Sequence, residues 1–195
     1  MNSDFIIKNF TQNPLDSFDF IKPVKLTYEV NGKKKSWEAV KSFDSVAILL
    51  YHKEKESFLL VKQFRAAVFL NDNTKTYTYE LCAGIIDKDM SLKEIVKEEI
   101  LEECGYDVNI KDIQKITSFF TNVGVSGAKQ YLFYAAIDDS QKVSKGGGID
   151  DEFILLEFIP LKQAKEFMFD ETKAKTPGLL FAFSWFFENS KEDEF

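Results

Sequence analysis

One predicted helix carries carboxylates at a spacing that suits metal binding. Ser91 and Glu94 form an S-x-x-E capping box at its start, and Gly105 stands where the end of a helix favours positive φ. At about 100° per residue, Glu99 and Glu103 lie about 40° apart, within the apolar stripe that faces the core. The pattern therefore turns two acidic side chains inward, one helical turn apart.

Two inward carboxylates repel each other and lose hydration unless a cation lies between them. A hard divalent cation with oxygen ligands meets this need, and Mg²⁺, with Mn²⁺ as the alternative ion, is usual where phosphates are also bound. Glu102 lies on the flank of the stripe and is a candidate water-mediated ligand. Glu94 and Glu98 point away from the stripe, so we expect them to be solvated.

Arg65 is the only arginine of a chain whose other strong bases are lysines. A guanidinium is a planar, two-pronged donor that suits phosphate or carboxylate oxygens. A surface ion pair explains the same residue equally well, so both interpretations stay open. His52, the only histidine, ends a predicted strand before a charged turn and is expected to be exposed, whereas Cys82 and Cys104 are expected to be small buried residues.

Strands and further helices have to position these residues. Alternating or apolar runs bounded by turn residues predict strands over 24–30, 36–40, 45–52, 58–64, 77–82, 115–120, 130–137 and 153–158. Helical patterns cover 161–169 and 176–189, and the glycines at 146–148 predict a mobile loop. Mixed strands among a few helices predict an α+β fold with α-β-α layering.

The N-terminal strands form a separate unit in this prediction. Asn31-Gly32 is a strong tight-turn signal and joins the first two strands into a hairpin ahead of the main strand run. We therefore expect a strand region over residues 1–42, which is a candidate dimerisation element, and one globular domain over residues 43–195.

Composition restricts the partners. The 195 residues carry 25 Lys and Arg against 32 Asp and Glu, a net charge of −7, which argues against nucleic-acid binding because phosphate neutralisation needs clustered cations. The most apolar stretch, 179–187, is far shorter than the about 20 residues that cross a bilayer, and the first residues do not follow the pattern of a secretory signal. We expect a cytoplasmic protein that binds neither nucleic acid nor membrane.

The carboxylate helix belongs to a longer motif. Gly84, followed after a gap by Glu99-Ile100-Leu101-Glu102-Glu103-Cys104-Gly105-Tyr106, resembles the Nudix box, G-x5-E-x7-R-E-U-x-E-E-x-G-U, where U is a bulky apolar residue. Two positions depart from that pattern, because Met90 replaces the first Glu and Glu98 replaces the Arg. In the Nudix hydrolase superfamily this arginine helps to orient the metal-binding carboxylates.

Motifs outside the box resemble the UDP-sugar pyrophosphatase branch of the ADP-ribose pyrophosphatase-like enzymes. They are Leu26-Thr27-Tyr28, Lys35-Ser36-Trp37, Val61-Lys62-Gln63-Phe64-Arg65, Glu80-Leu81-Cys82-Ala83-Gly84, Gly124-Val125-Ser126-Gly127 and Ser184-Trp185-Phe186. The resemblance implies a Nudix-type α-β-α sandwich and a homodimer that packs or exchanges its N-terminal strands. It also implies Mg²⁺-dependent hydrolysis of a nucleoside diphosphate sugar to a nucleoside monophosphate and a sugar phosphate.

The resemblance implies a role for each candidate residue. The metal ligands are Glu99, Glu102, Glu103 and the backbone carbonyl of Ala83. Arg65 would clamp the diphosphate. Glu80 would bind metal through water or contact the substrate, with a cross-strand ion pair as the alternative.

Two loops complete the implied site. The loop before the last strand would supply the general base from Glu152, with Asp151 or a metal-bound water as alternatives. Ser126, in a second substrate loop, would donate a hydrogen bond. The functions that remain open beside UDP-sugar hydrolysis are ADP-ribose hydrolysis and, because of Met90 and Glu98, nucleotide binding by a catalytically weak sensor.

Overall fold

The computed structural model describes residues 6–14, 17, 21–149 and 152–189. It begins with an antiparallel hairpin of β1 (Lys22–Val30) and β2 (Lys33–Lys41). The turn residues Asn31 and Gly32 have φ values of 52° and 74°, which a tight hairpin turn of the predicted kind requires. The predicted hairpin is confirmed, with both strands longer than their alternating patterns.

In the described residues that come after the hairpin, the structure contains an eight-stranded mixed sheet and four α-helices. The strands are β3 (Ser45–His52), β4 (Ser57–Gln63), β5 (Thr78–Glu80), β6 (Cys82–Ile85), β7 (Gln114–Phe120), β8 (Lys129–Ile137), β9 (Ile154–Pro160) and β10 (Ala174–Lys175). The helices are α1 (Ala66–Asn71), α2 (Leu92–Glu99), α3 (Leu161–Phe169) and α4 (Pro177–Asn189). Single 3₁₀ turns cover Ile110–Asp112 and Asp139–Gln141.

Strands β3 and β4 separate at one end of the sheet, and the segment that carries Glu80, Ala83 and Gly84 lies between them. β3 and β4 pair with each other only near their connecting turn, at Leu50 to His52. Beyond that point they diverge, and the segment 78–85 runs between them, with β5 paired to β4 and β6 paired to β3. The single strand predicted over 77–82 is therefore two strands that change neighbours at Leu81.

Alternate residues of β3 face opposite layers, as a period of two requires. Val46, Ile48 and Leu50 pack on the face that α2 covers, whereas Ala47 and Leu49 pack on the face that α3 and α4 cover. The helices thus enclose the sheet from both sides. This arrangement confirms the predicted α+β fold and its α-β-α layers.

The hairpin is hydrogen-bonded to the loop between β7 and β8 of the sheet domain. The Trp37 indole N–H donates to the carbonyl oxygen of Gly124 at 2.9 Å, and the Val40 N–H donates to that of Val125 at 2.9 Å. Most side chains of the hairpin are exposed, including the apolar ones of Leu26 and Trp37. The division of the chain at residue 42 stays a prediction.

Within the described ranges, each helix is either too short or too polar to traverse a lipid bilayer.

Candidate active site

The helix that carries the carboxylates begins and ends as its sequence predicts. The Ser91 N–H donates to the Glu94 carboxylate at 2.8 Å, and the Glu94 N–H donates to Ser91 Oγ at 3.4 Å, which completes the capping box. Gly105 ends the helix with a φ of 74°. Between them the structure adds a feature that was not predicted, because α2 continues after Glu99 as a π-helical turn over Ile100–Cys104.

Glu103 is held against the sheet. Its side chain is buried, and its Oε2 accepts a hydrogen bond from the Ala83 N–H at 2.9 Å. Burial is the main cause that raises the pKa of Glu103 to about 8; the charges of Glu99 and Glu152 add to this increase, whereas the hydrogen bonds from Ala83 and Cys82 oppose it. A cation beside Glu103 would stabilise its ionised form.

Glu99 lies directly against the backbone of Gly84. A Cβ atom on residue 84 would be 1.8 Å from Glu99 Oε1, so only glycine leaves room for this carboxylate. Burial, and next the charge of Glu102, raises the pKa of Glu99 to about 7. The Gly and the Glu of the motif are therefore one packing unit.

A cavity of about 470 Å³ brings together all of the predicted site residues except Ser126. The predicted residues in its wall are Arg65, Glu80, Ala83, Glu99, Glu102, Glu103 and Glu152. Ser126 lies outside this wall, and its hydroxyl accepts a hydrogen bond from the Ala128 N–H at 3.4 Å. Asp151, the alternative base, falls outside the described residues.

Arg65 and Glu80 form a two-pronged ion pair. Arg65 Nε lies 2.8 Å from Glu80 Oε1, and Nη2 lies 2.7 Å from Oε2. The Thr78 hydroxyl donates to the same carboxylate. The cross-strand pair considered for Glu80 is thus present, and it fixes the half-exposed guanidinium of Arg65 at the cavity wall.

The glycine loop is attached to the end of the π turn. The Gly147 N–H donates to the Glu103 carbonyl at 2.8 Å, and the Gly148 N–H donates to the Glu102 carbonyl at 3.2 Å. Gly146, Gly147 and Gly148 all have positive φ, which other residues rarely adopt. These glycines therefore allow a backbone conformation that is held by hydrogen bonds. The mobility expected of this loop stays a prediction.

That path delivers Glu152 to the cavity. Its carboxylate accepts a hydrogen bond from the Ile149 N–H at 3.1 Å. Glu152 is close enough to Glu99 and Glu103 for its charge to raise the pKa of both. The predicted general base therefore faces the predicted metal ligands.

One expectation was wrong and one holds only in part. Glu98 is partly solvated, with 32% of its side chain exposed, but its Oε2 is buried and lies 2.8 Å from the ammonium of Lys88, a cavity residue that sequence reasoning missed. His52 is fully buried, with Nε2 3.1 Å from Asp139 Oδ1. The sequence did contain one indication of a nearby cation, because Glu98 stands at a motif position that normally carries arginine. The prediction that Cys82 and Cys104 are buried is confirmed.

The donor set around the cavity fits a hard divalent ion. All of its candidate ligand atoms are oxygens, and a nearby cation would offset the burial that raises the pKa values of Glu99 and Glu103. Among the residues that the structure describes, the carboxylates of Glu99, Glu102 and Glu103 do not all lie within 4.8 Å of one another. Water or substrate oxygens would therefore complete the coordination, as is usual for Mg²⁺.

A second acidic group fits an ion less well. Ligand atoms of His52, Glu54 and Asp139 lie within 4.8 Å of one another. The ammonium of Lys55 already lies 2.8 Å from His52 Nε2 and pairs with Asp139. A cation is thus already present in that cluster, which lies apart from the cavity residues.

Comparisons with known proteins agree with this geometry. The model of the NUDIX domain family matches residues 41–177. The chain is 37% identical over 196 residues to the uridine diphosphate glucose pyrophosphatase NUDT14 of Bos taurus, covering 86% of this chain and 88% of that protein. The protein of the same name from Mus musculus is 33% identical with the same coverage. A GDP-mannose pyrophosphatase of Cronobacter sakazakii is 36% identical over 123 residues, 63% of each chain.

Proposed function

The chain belongs to the NUDIX family, and we propose that it is a Mg²⁺-dependent hydrolase of nucleoside diphosphate sugars, with UDP-glucose as the preferred type of substrate. The products are a nucleoside monophosphate and a sugar phosphate. The similar proteins are named for UDP-glucose and GDP-mannose, which share a diphosphate between a nucleoside and a hexose. That shared diphosphate is the part of the substrate that an acidic metal site recognises.

The observation that carries this proposal is the set of carboxylates in one cavity wall. Glu99, Glu102 and Glu103 come from one helix, and Glu152 comes from a separate loop. A bound divalent ion supplies charge that offsets the diphosphate oxygens and makes the attacking water more acidic. Mg²⁺ is the ion we propose because the donors are oxygens and the substrate carries phosphates, with Mn²⁺ as the alternative.

The side chains of this protein divide the remaining work. Glu99 and Glu103, with Glu102 and the Ala83 carbonyl, would hold the ion. The Arg65 guanidinium, which is paired with Glu80, would bind the diphosphate oxygens through charge-assisted hydrogen bonds.

Proton transfer falls to Glu152 in this proposal. Its carboxylate is exposed and accepts one backbone hydrogen bond from Ile149, so it has capacity to accept a proton from water. It lines the same cavity as Glu103 and Glu99.

We also propose a cytoplasmic homodimer. The hairpin exposes apolar side chains, among them Leu26, Tyr28 and Trp37, and a second copy of the hairpin would cover them. Cys82 and Cys104 are free thiols in the core, which fits a reducing compartment. Sedimentation equilibrium of the whole chain tests the dimer, and a monomer at micromolar concentration would contradict it.

The direct test is hydrolysis of UDP-glucose, GDP-mannose and ADP-ribose in the presence of Mg²⁺, with release of the nucleoside monophosphate as the readout. Fastest turnover of ADP-ribose would favour the second substrate class. Binding without turnover under Mg²⁺ or Mn²⁺ would favour a sensor instead.

A matched pair of variants tests the site. Glu103→Gln should lower kcat by about a hundredfold or more, because the amide lacks the charge that the ion requires. Glu166→Gln makes the same change on the exposed face of α3 and should leave kcat unchanged. Equal rates for the two variants would remove Glu103 from the site.

A further inference from the structure

The cavity wall carries far more negative than positive charge. Its acidic residues are Glu80, Asp87, Glu99, Glu102, Glu103 and Glu152. Among the described residues of this wall, the only cations are Arg65 and Lys88. Both prongs of Arg65 are directed at Glu80, so Lys88 is the cation that remains for the helix carboxylates.

Lys88 joins two elements of the site. It lies in the connection between β6 and α2, and its ammonium is 2.8 Å from Glu98 Oε2. Glu98 belongs to the last turn of α2 and immediately precedes Glu99. Its Oε2 is buried, and the Lys88 ammonium is the cation that lies against it. The pair therefore ties the connection after Gly84 to the helix turn that presents Glu99.

The pair has an unusual order of charges for this motif. The Nudix pattern places the acidic residue in the connection, where this chain has Met90, and the basic residue on the helix, where it has Glu98. Here the connection supplies the base and the helix supplies the acid. The two elements therefore carry charges of the opposite sign to those of the pattern, and in this chain they form an ion pair.

We propose that Lys88 is a positioning residue, whose ion pair with Glu98 fixes the Glu99 carboxylate and replaces the arginine absent from position 98. The role in catalysis rests on the proposed hydrolase function. The effect on metal binding does not, because it requires only that Glu99 binds the ion.

The experiment combines Mn²⁺ titration calorimetry of the whole chain without substrate and steady-state hydrolysis of UDP-glucose. Lys88→Met, which keeps the length of the side chain, should weaken Mn²⁺ binding and lower kcat by about tenfold each, with little change in the substrate KM. Lys88→Arg should stay within about twofold of the unchanged protein because it keeps the charge and can reach Glu98.

Two further variants isolate the pair. Lys97→Met removes an ion pair of the same helix and the same 2.8 Å length, to Asp107, which lies away from the cavity. It should leave both readouts unchanged. Lys88→Glu should be worse than Lys88→Met, and adding Glu98→Lys to it should recover both readouts about fivefold or more, because the pair is restored with opposite polarity.

Three results would overturn the proposal. They are unchanged Mn²⁺ affinity in Lys88→Met, no recovery in the Lys88→Glu/Glu98→Lys double variant, and a rise in substrate KM alone, which would make Lys88 a phosphate contact. If the unchanged protein hydrolyses no nucleotide sugar, the proposed function fails, while Mn²⁺ titration of the same variants still decides the role of Lys88.

Discussion

Gly84→Ala tests whether Glu99 acts through its contact with the backbone. A methyl group at residue 84 would lie 1.8 Å from Glu99 Oε1 and 2.0 Å from its Cδ. Residue 84 does not have positive φ, so alanine can adopt its backbone conformation. The atoms that collide belong to the flexible end of a side chain, so the carboxylate moves and the strand stays.

The size of the effect follows from the required displacement. An ordinary contact of about 3.5 Å requires the carboxylate to retreat by about 1.7 Å from its present 1.8 Å distance. A misplacement of about 1 Å at a reacting centre can cost about a hundredfold. We therefore expect kcat/KM to fall by at least about a hundredfold, or about 2.7 kcal/mol of transition-state stabilisation. The free energy of unfolding should fall by no more than about 1–2 kcal/mol.

The assay is hydrolysis of UDP-glucose with saturating Mg²⁺, with urea unfolding as the measure of stability. The control is the Glu99→Ala background, in which the methyl group at residue 84 has space. There Gly84→Ala should change kcat/KM by less than about threefold, because the two residues act as one unit. Activity of Gly84→Ala near that of the unchanged protein would refute this reasoning, as would a full additional loss in the Glu99→Ala background.

Three further variants test other parts of the molecule. Arg65→Lys keeps the charge but loses the two-pronged contact with Glu80, so the KM for UDP-glucose should rise by about tenfold, and an unchanged KM would exclude the clamp. Phe183→Ala removes a ring stacked on Phe58 with centroids 4.1 Å apart, so urea unfolding should show a loss of about 3–5 kcal/mol. Ser91→Ala should cost about 1 kcal/mol in the same measurement, whereas Ser91→Asp should keep the cap and the stability.

The sequence predicts an element correctly where the residues of that element alone determine its structure. The alternation along β3 separates two core faces, and the capping box at Ser91 fixes the start of α2, so both could be predicted from the chain itself. The helix Ala66–Asn71 was missed because it has only six residues and no buried face. The break at Leu81 depends on which strands lie on either side, and a single segment does not contain that information.

The inward orientation of Glu103 was predicted correctly, but the helical wheel explains only part of it. A helical wheel at a constant 100° per residue assumes α geometry, whereas residues 100–104 form a π turn. Glu103 nevertheless faces inward, because the Ala83 N–H of the neighbouring strand holds its carboxylate. Its orientation is therefore fixed by a contact between two elements, and the apolar stripe of the wheel reports that contact indirectly.

The residues that were misassigned all depend on partners distant in sequence or on another element. His52 was expected to be exposed because a charged turn follows it, yet Asp139 and the ring of Phe158 enclose it from other parts of the chain. Glu98 was expected to be solvated because it points away from the apolar stripe, yet its Oε2 is buried and Lys88 approaches from the preceding connection. A helical wheel describes the faces of one helix and does not include the residues of a neighbouring loop. Where a motif position for arginine carries an acidic residue, as Glu98 does, a cation such as Lys88 should thus be sought in a neighbouring element of the site.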